Sequence, residues 1–248
     1  MTTCKNCTHH FEGNFCNFCG QPSHTHEINL HYIVHEIQHG IFHVDKGFFF
    51  NIKQLFTRPG NAVREYIEGK RISYFKPFAF LLIISTIYAF LSHALNDNPV
   101  LENWLMGLKD GSRSKSFVAL EWLITHYAYT SLLIIPITAL ASYLAFIKSG
   151  YNYFQHLILN VFVSGQTTVF YIVYSFITYL INKNNDSYAL DIIEISIGVS
   201  LTFWTYFQFF NNIKTIPKIL LTTLSYILST LFVLTNVVIL FLIAKLLA

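Results

Sequence analysis

Charge is scarce in this sequence. Asp, Glu, Lys and Arg make up 12% of its 248 residues, about half the share usual in a soluble domain. So few charged groups cannot cover a water-facing surface, and a soluble core is disfavoured. Cysteine is scarce too, with four residues, all among the first nineteen. The formal net charge of +3 is too small to indicate a nucleic-acid partner, and none is expected. No internal repeat links the apolar blocks, and no matched pair of Gly/Pro-broken segments marks an inverted-repeat transporter. No signal peptide is visible, because the first useful apolar run begins near Phe78 and no small-residue cleavage site follows it. The N-terminal segment is therefore expected in a reducing cytosol, where thiols favour metal over disulfides.

What is abundant is apolar sequence. The chain is 53% hydrophobic and 17% aromatic, with a mean hydropathy of +0.45. A spanning helix needs about 20 mostly apolar residues. Five blocks qualify: Phe78–Leu95, Tyr127–Ile147, Leu157–Ile181, Ile192–Phe210 and Ile216–Leu247. The expected fold class is an all-α integral membrane protein. About five transmembrane helices follow a small zinc ribbon and amphipathic, juxtamembrane helices. The expected division is a ribbon over 1–22, cytosolic helices over 23–77 and a transmembrane bundle over 78–248. With the N-terminus inside, eleven of the sixteen Lys/Arg fall on the cytosolic side. Lys109, Arg113, Lys115, Lys183 and Lys245 fall outside. The positive-inside bias thus places the N-terminus in the cytosol and the C-terminus across the membrane.

The strongest chemical signal is Cys4-Lys5-Asn6-Cys7, eight residues, then Cys16-Asn17-Phe18-Cys19-Gly20. Two CxxC pairs let Cys4, Cys7, Cys16 and Cys19 converge on one tetrahedral zinc. Four thiolates close the shell, so the metal would be structural. Two reduced or redox-active thiol pairs are the alternative. Gly20 suits the turn beside the metal, Thr8 suits it less well, and Phe11, Phe15 and Phe18 are candidates to cover the site.

Residues 27–46 read as an amphipathic helix, with Leu30, Ile33, Val34, Ile37 and Ile41 on one side and His31, His35, His39 and His43 on the other. It contains His35-Glu36-Ile37-Gln38-His39, the HExxH string that on a helix presents two imidazoles and a general base in zinc metalloproteases. No third ligand announces itself, and a His-rich polar face yields the string by chance. Catalysis, metal binding by the His ladder and a solvated face on the membrane all stay open.

Arg58-Pro59-Gly60 is a turn signal, Asn61 to Glu68 a short helix, and Gly69 its stop. Arg58, Arg64, Lys70, Arg71 and Lys76 precede the first span. They read either as an anionic-lipid site or as ordinary positive-inside anchoring. Together, the CxxC…CxxCG finger, the His-rich helix running into Asp45-Lys46-Gly47, and RPG…REYIEGKR…YFKP resemble an uncharacterised bacterial membrane family, domain-of-unknown-function family three-six-six-seven. The resemblance is close over roughly residues 4 to 80. It continues at Tyr151 to His156, where Gln155 stands for the family's Glu and Asn160 lies near its later His. It implies this architecture and a bacterial inner membrane, and it implies no activity.

Within the spans the polar residues are few: His93, Asn160, Gln166, Glu194, Gln208 and Asn236. No carboxylate pair or buried Lys/Arg of an ion-coupled transporter is apparent. The sequence thus favours a binding, scaffold or regulatory protein in which the ribbon could meet a protein partner. A small-solute or lipid transporter and a metallohydrolase using His35, Glu36 and His39 are the rivals.

Overall fold

The computed structural model describes residues 1–39, 47–95, 126–181 and 188–246. Ile41, His43, Asp45, Lys46 and the loop cations Lys109, Arg113, Lys115 and Lys183 lie outside the described residues, as do the side chains of Ile37, His39 and Lys245.

Two short strands, β1 (Thr2–Thr3) and β2 (His10–Phe11), pair antiparallel and open the chain. Three short helices follow: α1 (Leu30–His39), α2 (Gly47–Thr57) and α3 (Pro59–Glu68). Then come α4 (Pro77–Leu95), α5 (Tyr127–Ala145), α6 (Tyr153–Ile181), α7 (Tyr188–Phe209) and α8 (Thr215–Leu246). These last five are the helices long and apolar enough to cross a membrane. Each coincides with one block read from the sequence, because twenty apolar residues in a row are a local property that no distant contact needs to supply. Apolar side chains such as Phe90, Leu133, Phe176, Leu220 and Leu234 stay exposed on them, as expected of surfaces that face lipid.

The centre of the bundle is α6. His156 through Val163 are buried without interruption, the pattern of a helix enclosed on all sides. It packs against α2, α3, α4, α5 and α7. One hydrophobic core joins Leu55 of α2 and Val63 and Tyr66 of α3 to Phe80, Ile135, Phe162 and Phe209 of the long helices.

Local chemistry sets α3. Pro59 stands at its first turn, where its missing N–H is not needed. Gly69 ends it at φ 111°, with Lys70 N–H donating to Glu65 O at 2.9 Å, the left-handed stop that glycine favours. A Cβ on Gly69 would also stand 2.6 Å from Thr25 Oγ1. The Arg64 guanidinium donates to the carbonyls of Gln208 and Phe209. It thereby puts a cation at the C-terminal end of α7, where unpaired carbonyls gather.

The buried face of α1 differs from the apolar stripe of the sequence. Ile33 and Glu36 are buried, whereas Leu30 and Val34 are exposed. The helix is turned so that Tyr32 and Glu36, one turn apart, face α3. There the Tyr32 and Tyr66 hydroxyls lie 2.7 Å apart and Arg71 stacks 4.3 Å over the Tyr32 ring. These polar and aromatic contacts come from residues more than thirty positions away, and they outweigh the burial of two aliphatic side chains.

Candidate metal centre and the adjoining cavity

The two CxxC pairs build two matching turns. Cys4 N–H donates to His9 O and Thr8 N–H to Cys4 O, both at 2.9 Å. Cys16 N–H donates to Gln21 O at 2.9 Å and Gly20 N–H to Cys16 O at 2.8 Å. Each turn needs a left-handed residue after its second cysteine: Gly20 at φ 77° and, against the usual preference, Thr8 at φ 62°. The Thr8 hydroxyl donates to Cys7 O at 2.6 Å, which holds that strained residue in place.

The turns bring all four sulfurs within 4.8 Å of one another. Cys4 Sγ lies 3.5 Å from Cys19 Sγ, and Cys7 Sγ lies 3.7 Å from Cys16 Sγ. Sulfurs at the corners of a zinc tetrahedron, with Zn–S near 2.3 Å, stand about 3.8 Å apart. The site can therefore hold a metal ion through Cys4, Cys7, Cys16 and Cys19, and among the described residues no other His, Cys, Asp or Glu group converges in this way.

Burial raises the Cys4 thiol, but hydrogen bonds from the amides of Cys7 and Asn6 and from the Cys19 and Cys7 side chains outweigh it and lower Cys4 to about 7. For Cys7, the backbone bond at His9 lowers the thiol. Burial and the neighbouring Cys19, Cys4 and Cys16 then push it up to about 12. A bound cation favours the thiolate form of such ligands. Phe11 is buried against Cys4 and Cys16. Phe15 and Phe18, the other expected covers, are exposed. Phe18 stacks on His9 instead.

The ribbon is braced against the chain entering the first span. Gln21 is buried, and its Oε1 accepts from the backbone N–H of Arg71 at 3.3 Å and of Ile72 at 3.0 Å. Lys5 donates to Thr25 Oγ1 at 2.8 Å and Ser73 Oγ to Asn6 Oδ1 at 3.2 Å. Between the ribbon, α1 and this segment lies a cavity of about 530 Å³. Its lining includes His24 and His26 of the linker, His31 and His35 of α1, and Arg71 and Lys76.

Of the HExxH string, the side chains of His35 and Glu36 are described and that of His39 is not, and among the described residues no ligand group gathers at His35. Glu36 is 3% exposed, and its Oε2 accepts from Tyr66 OH at 3.3 Å. Desolvation raises its carboxyl above the ordinary range, against hydrogen bonds from Tyr32 and Tyr66. His31 and His35 are exposed.

The juxtamembrane cations are largely engaged within the fold. Arg58 meets Glu65 in a two-pronged pair at 2.8 and 3.0 Å. Lys70 lies 3.3 Å from the same carboxylate, and Tyr74 OH donates to it at 2.9 Å. These partners hold Glu65 below its usual range despite the opposing effect of burial. Arg71 Nε donates to Tyr66 O at 3.3 Å.

Several polar residues within the spans bond across helices, while His156 Nε2 and Gln208 Oε1 are buried with no hydrogen-bond partner among the described residues. Asn160 Nδ2 donates to Ser142 Oγ at 2.9 Å, while Tyr206 OH donates to Asn160 Oδ1 at 3.0 Å. His156, which the sequence allowed at an interface, is fully buried, with Nδ1 3.0 Å from Ser142 Oγ. Lys218 is buried too, donating to Phe207 O at 3.0 Å, a burial the sequence did not signal.

No curated protein and no solved structure matches this chain. Residues 45–89, a stretch that includes the Arg58–Glu65–Tyr74 network, match the family model described as protein of unknown function (DUF3667).

Proposed function

We propose that this is a multi-pass protein of a bacterial cytoplasmic membrane, with its N-terminus in the cytosol, that works by binding. In this reading the ribbon holds a structural zinc and fixes one wall of a ligand cavity at the membrane surface. The observation that carries it is the open cavity of about 530 Å³ lined jointly by the linker after the ribbon, α1 and the segment leading into α4, a volume within the range of small-molecule sites. Two further features support binding over the rivals. Glu36 is buried beneath Tyr66 rather than free to polarise a metal-bound water, and Asn160 and Gln166 are satisfied by helix-packing bonds. Zinc is favoured because four thiolates at tetrahedral spacing match its structural sites.

The test uses the purified full chain in detergent. A low-mass extract of cells, aqueous or lipid, should raise the thermal midpoint of the wild type. It should not raise that of Ile72→Trp, in which an indole replaces an exposed side chain of the cavity wall. An extract that stabilises neither protein, or both equally, refutes the cavity as a binding site.

A further inference from the structure

We infer that the cavity takes a phosphate group, presented by a phospholipid headgroup or by a soluble phosphate compound; this rests on the reading of the cavity as a binding site. Its wall combines Arg71, Lys76 and the four imidazoles of His24, His26, His31 and His35, with no carboxylate among the described residues that line it. Two of the acidic groups nearby are withdrawn, and Glu27, between His26 and Asn29 in the sequence, does not line it. Glu65 is taken by Arg58 and Lys70, and Glu36 is buried under Tyr66.

Arg71 is held ready for an anion. Its guanidinium stacks on Tyr32 at 4.3 Å and lies 5.6 Å from the Tyr66 ring, and Nε is fixed by Tyr66 O. Among the described residues it has no ion pair. A guanidinium oriented by stacking and by one nitrogen keeps its two terminal nitrogens for a planar, two-pronged contact, the geometry that suits phosphate oxygens. The imidazoles add N–H donors around it. Gly47 of α2 also lines the cavity. Lys76 is followed directly by Pro77, where α4 begins, so the cavity opens beside the start of a span, at the level a lipid headgroup would occupy.

The full chain, with its metal site loaded, would be placed in phosphatidylcholine nanodiscs. One arm titrates inorganic phosphate and follows its phosphorus resonance. The other includes phosphatidic acid and counts retained lipid by native mass spectrometry. Saturable binding is expected in at least one arm. The first alone identifies a soluble phosphate compound, and the second alone a headgroup. Arg71→Gln should weaken it about tenfold or more, and Arg71→Lys less, since a point charge replaces the fork. Should Arg71→Gln lose its metal or its fold, the exposed pair His31→Gln/His35→Gln takes its place with the same expected loss. Absence of saturable binding in both arms, or a folded variant that binds as tightly as wild type, overturns the inference. Stabilisation by cell extract together with no phosphate binding would leave the cavity a site for another class of ligand and remove only the phosphate.

Discussion

Gln166, well inside α6, donates its side-chain Nε2–H to the carbonyl of Leu55 in α2 at 2.6 Å. The helical partner of that carbonyl would be the N–H four residues on, but that residue is Pro59, which has none. Thr205 of α7 fixes the other end of the amide, donating to Gln166 Oε1 at 2.7 Å. A membrane-helix glutamine thus satisfies a carbonyl in the last turn of α2, where Arg58 at φ −151° leaves the helical path, and it ties three helices at one point.

Gln166→Leu keeps the volume and deletes the donor. It should destabilise the protein by about 1–3 kcal/mol, the usual cost of a buried unsatisfied carbonyl. Pro59→Ala restores an N–H to the chain and should recover part of that loss in the double variant, although alone it should do little good. Thermal unfolding of the four proteins in one detergent gives the cycle. Additive losses would show that the two residues do not share the Leu55 carbonyl.

At Gly60, α3 comes close to the backbone of α7. A Cβ there would meet the backbone nitrogen of Phe209 and stand 2.5 Å from Gln208 Cβ and from Thr205 O. Because two of these three atoms are backbone, no rotamer change relieves the overlap. Gly60→Ala should cost about 1–3 kcal/mol or more and loosen the Arg64 contacts with the end of α7. Amide exchange near Phe209 measures that loosening. An alanine variant as stable as wild type would mean that α3 does not pack this closely.

Glu36 offers a pH-dependent test. Its carboxyl is raised above 4.5 in the folded protein, chiefly by desolvation. The folded state therefore holds the proton more tightly than the unfolded chain does. That contribution is full below the ordinary value and is lost as pH rises through the raised one. Glu36→Gln stays neutral throughout. Its stability relative to wild type should accordingly grow as pH climbs from about 4.5 through the raised value, and level off above it. Midpoints compared pair by pair across pH cancel the histidines common to both proteins. A difference that is flat with pH, or a folded Gln variant that has lost cellular function, would return the HExxH string to consideration as a catalytic motif.

The features legible in the sequence are the ones made locally. Apolar length marked the spans, CxxC spacing marked the sulfur cluster, and the Pro59 and Gly69 punctuation marked α3. The rest depends on distant partners. Nothing near Leu55 announces Gln166, which lies more than a hundred residues away, and nothing in the helix periodicity of α1 tells that Tyr66 and Arg71 will turn Glu36 inward. The cavity escaped for the same reason, since its wall joins the ribbon, α1 and residues 71–76. One signal was available. A Gly, Lys and Arg at the end of α3, followed by Ser73 and Tyr74, is dense in hydrogen-bonding groups for a mere anchor.

Orientation can be tested at the two ends. The ribbon, the start of α4 and the end of α7 all meet on one side, through Gln21–Ile72 and Arg64–Phe209, so one reporter places them together. A fusion after Ala248 should be active as alkaline phosphatase and dark as a cytosol-dependent fluorescent protein. The reverse would either invert the orientation, with the N-terminus outside, or put both termini on the same side and remove one span from the count.

The last prediction concerns the metal. The purified chain should carry one zinc, and the quadruple Cys→Ser variant none, by elemental analysis. Undiminished zinc in that variant would reject the site. The loss should also travel, because the second turn hands its chain directly to Gln21: Cys16 N–H bonds Gln21 O, and the Gln21 side chain carries the amides of Arg71 and Ile72. Without the four-sulfur closure, that turn has little else to hold it, for its buried cluster is only Cys4, Phe11 and Cys16. Hydrogen exchange at Arg71 and Ile72 should therefore accelerate in the variant or after chelation, while the enclosed residues of α6 from His156 to Val163 keep their protection. Unchanged exchange at 71 and 72 in metal-free protein would mean that the ribbon docks by its surface contacts alone, and that the metal orders only the two turns that bind it.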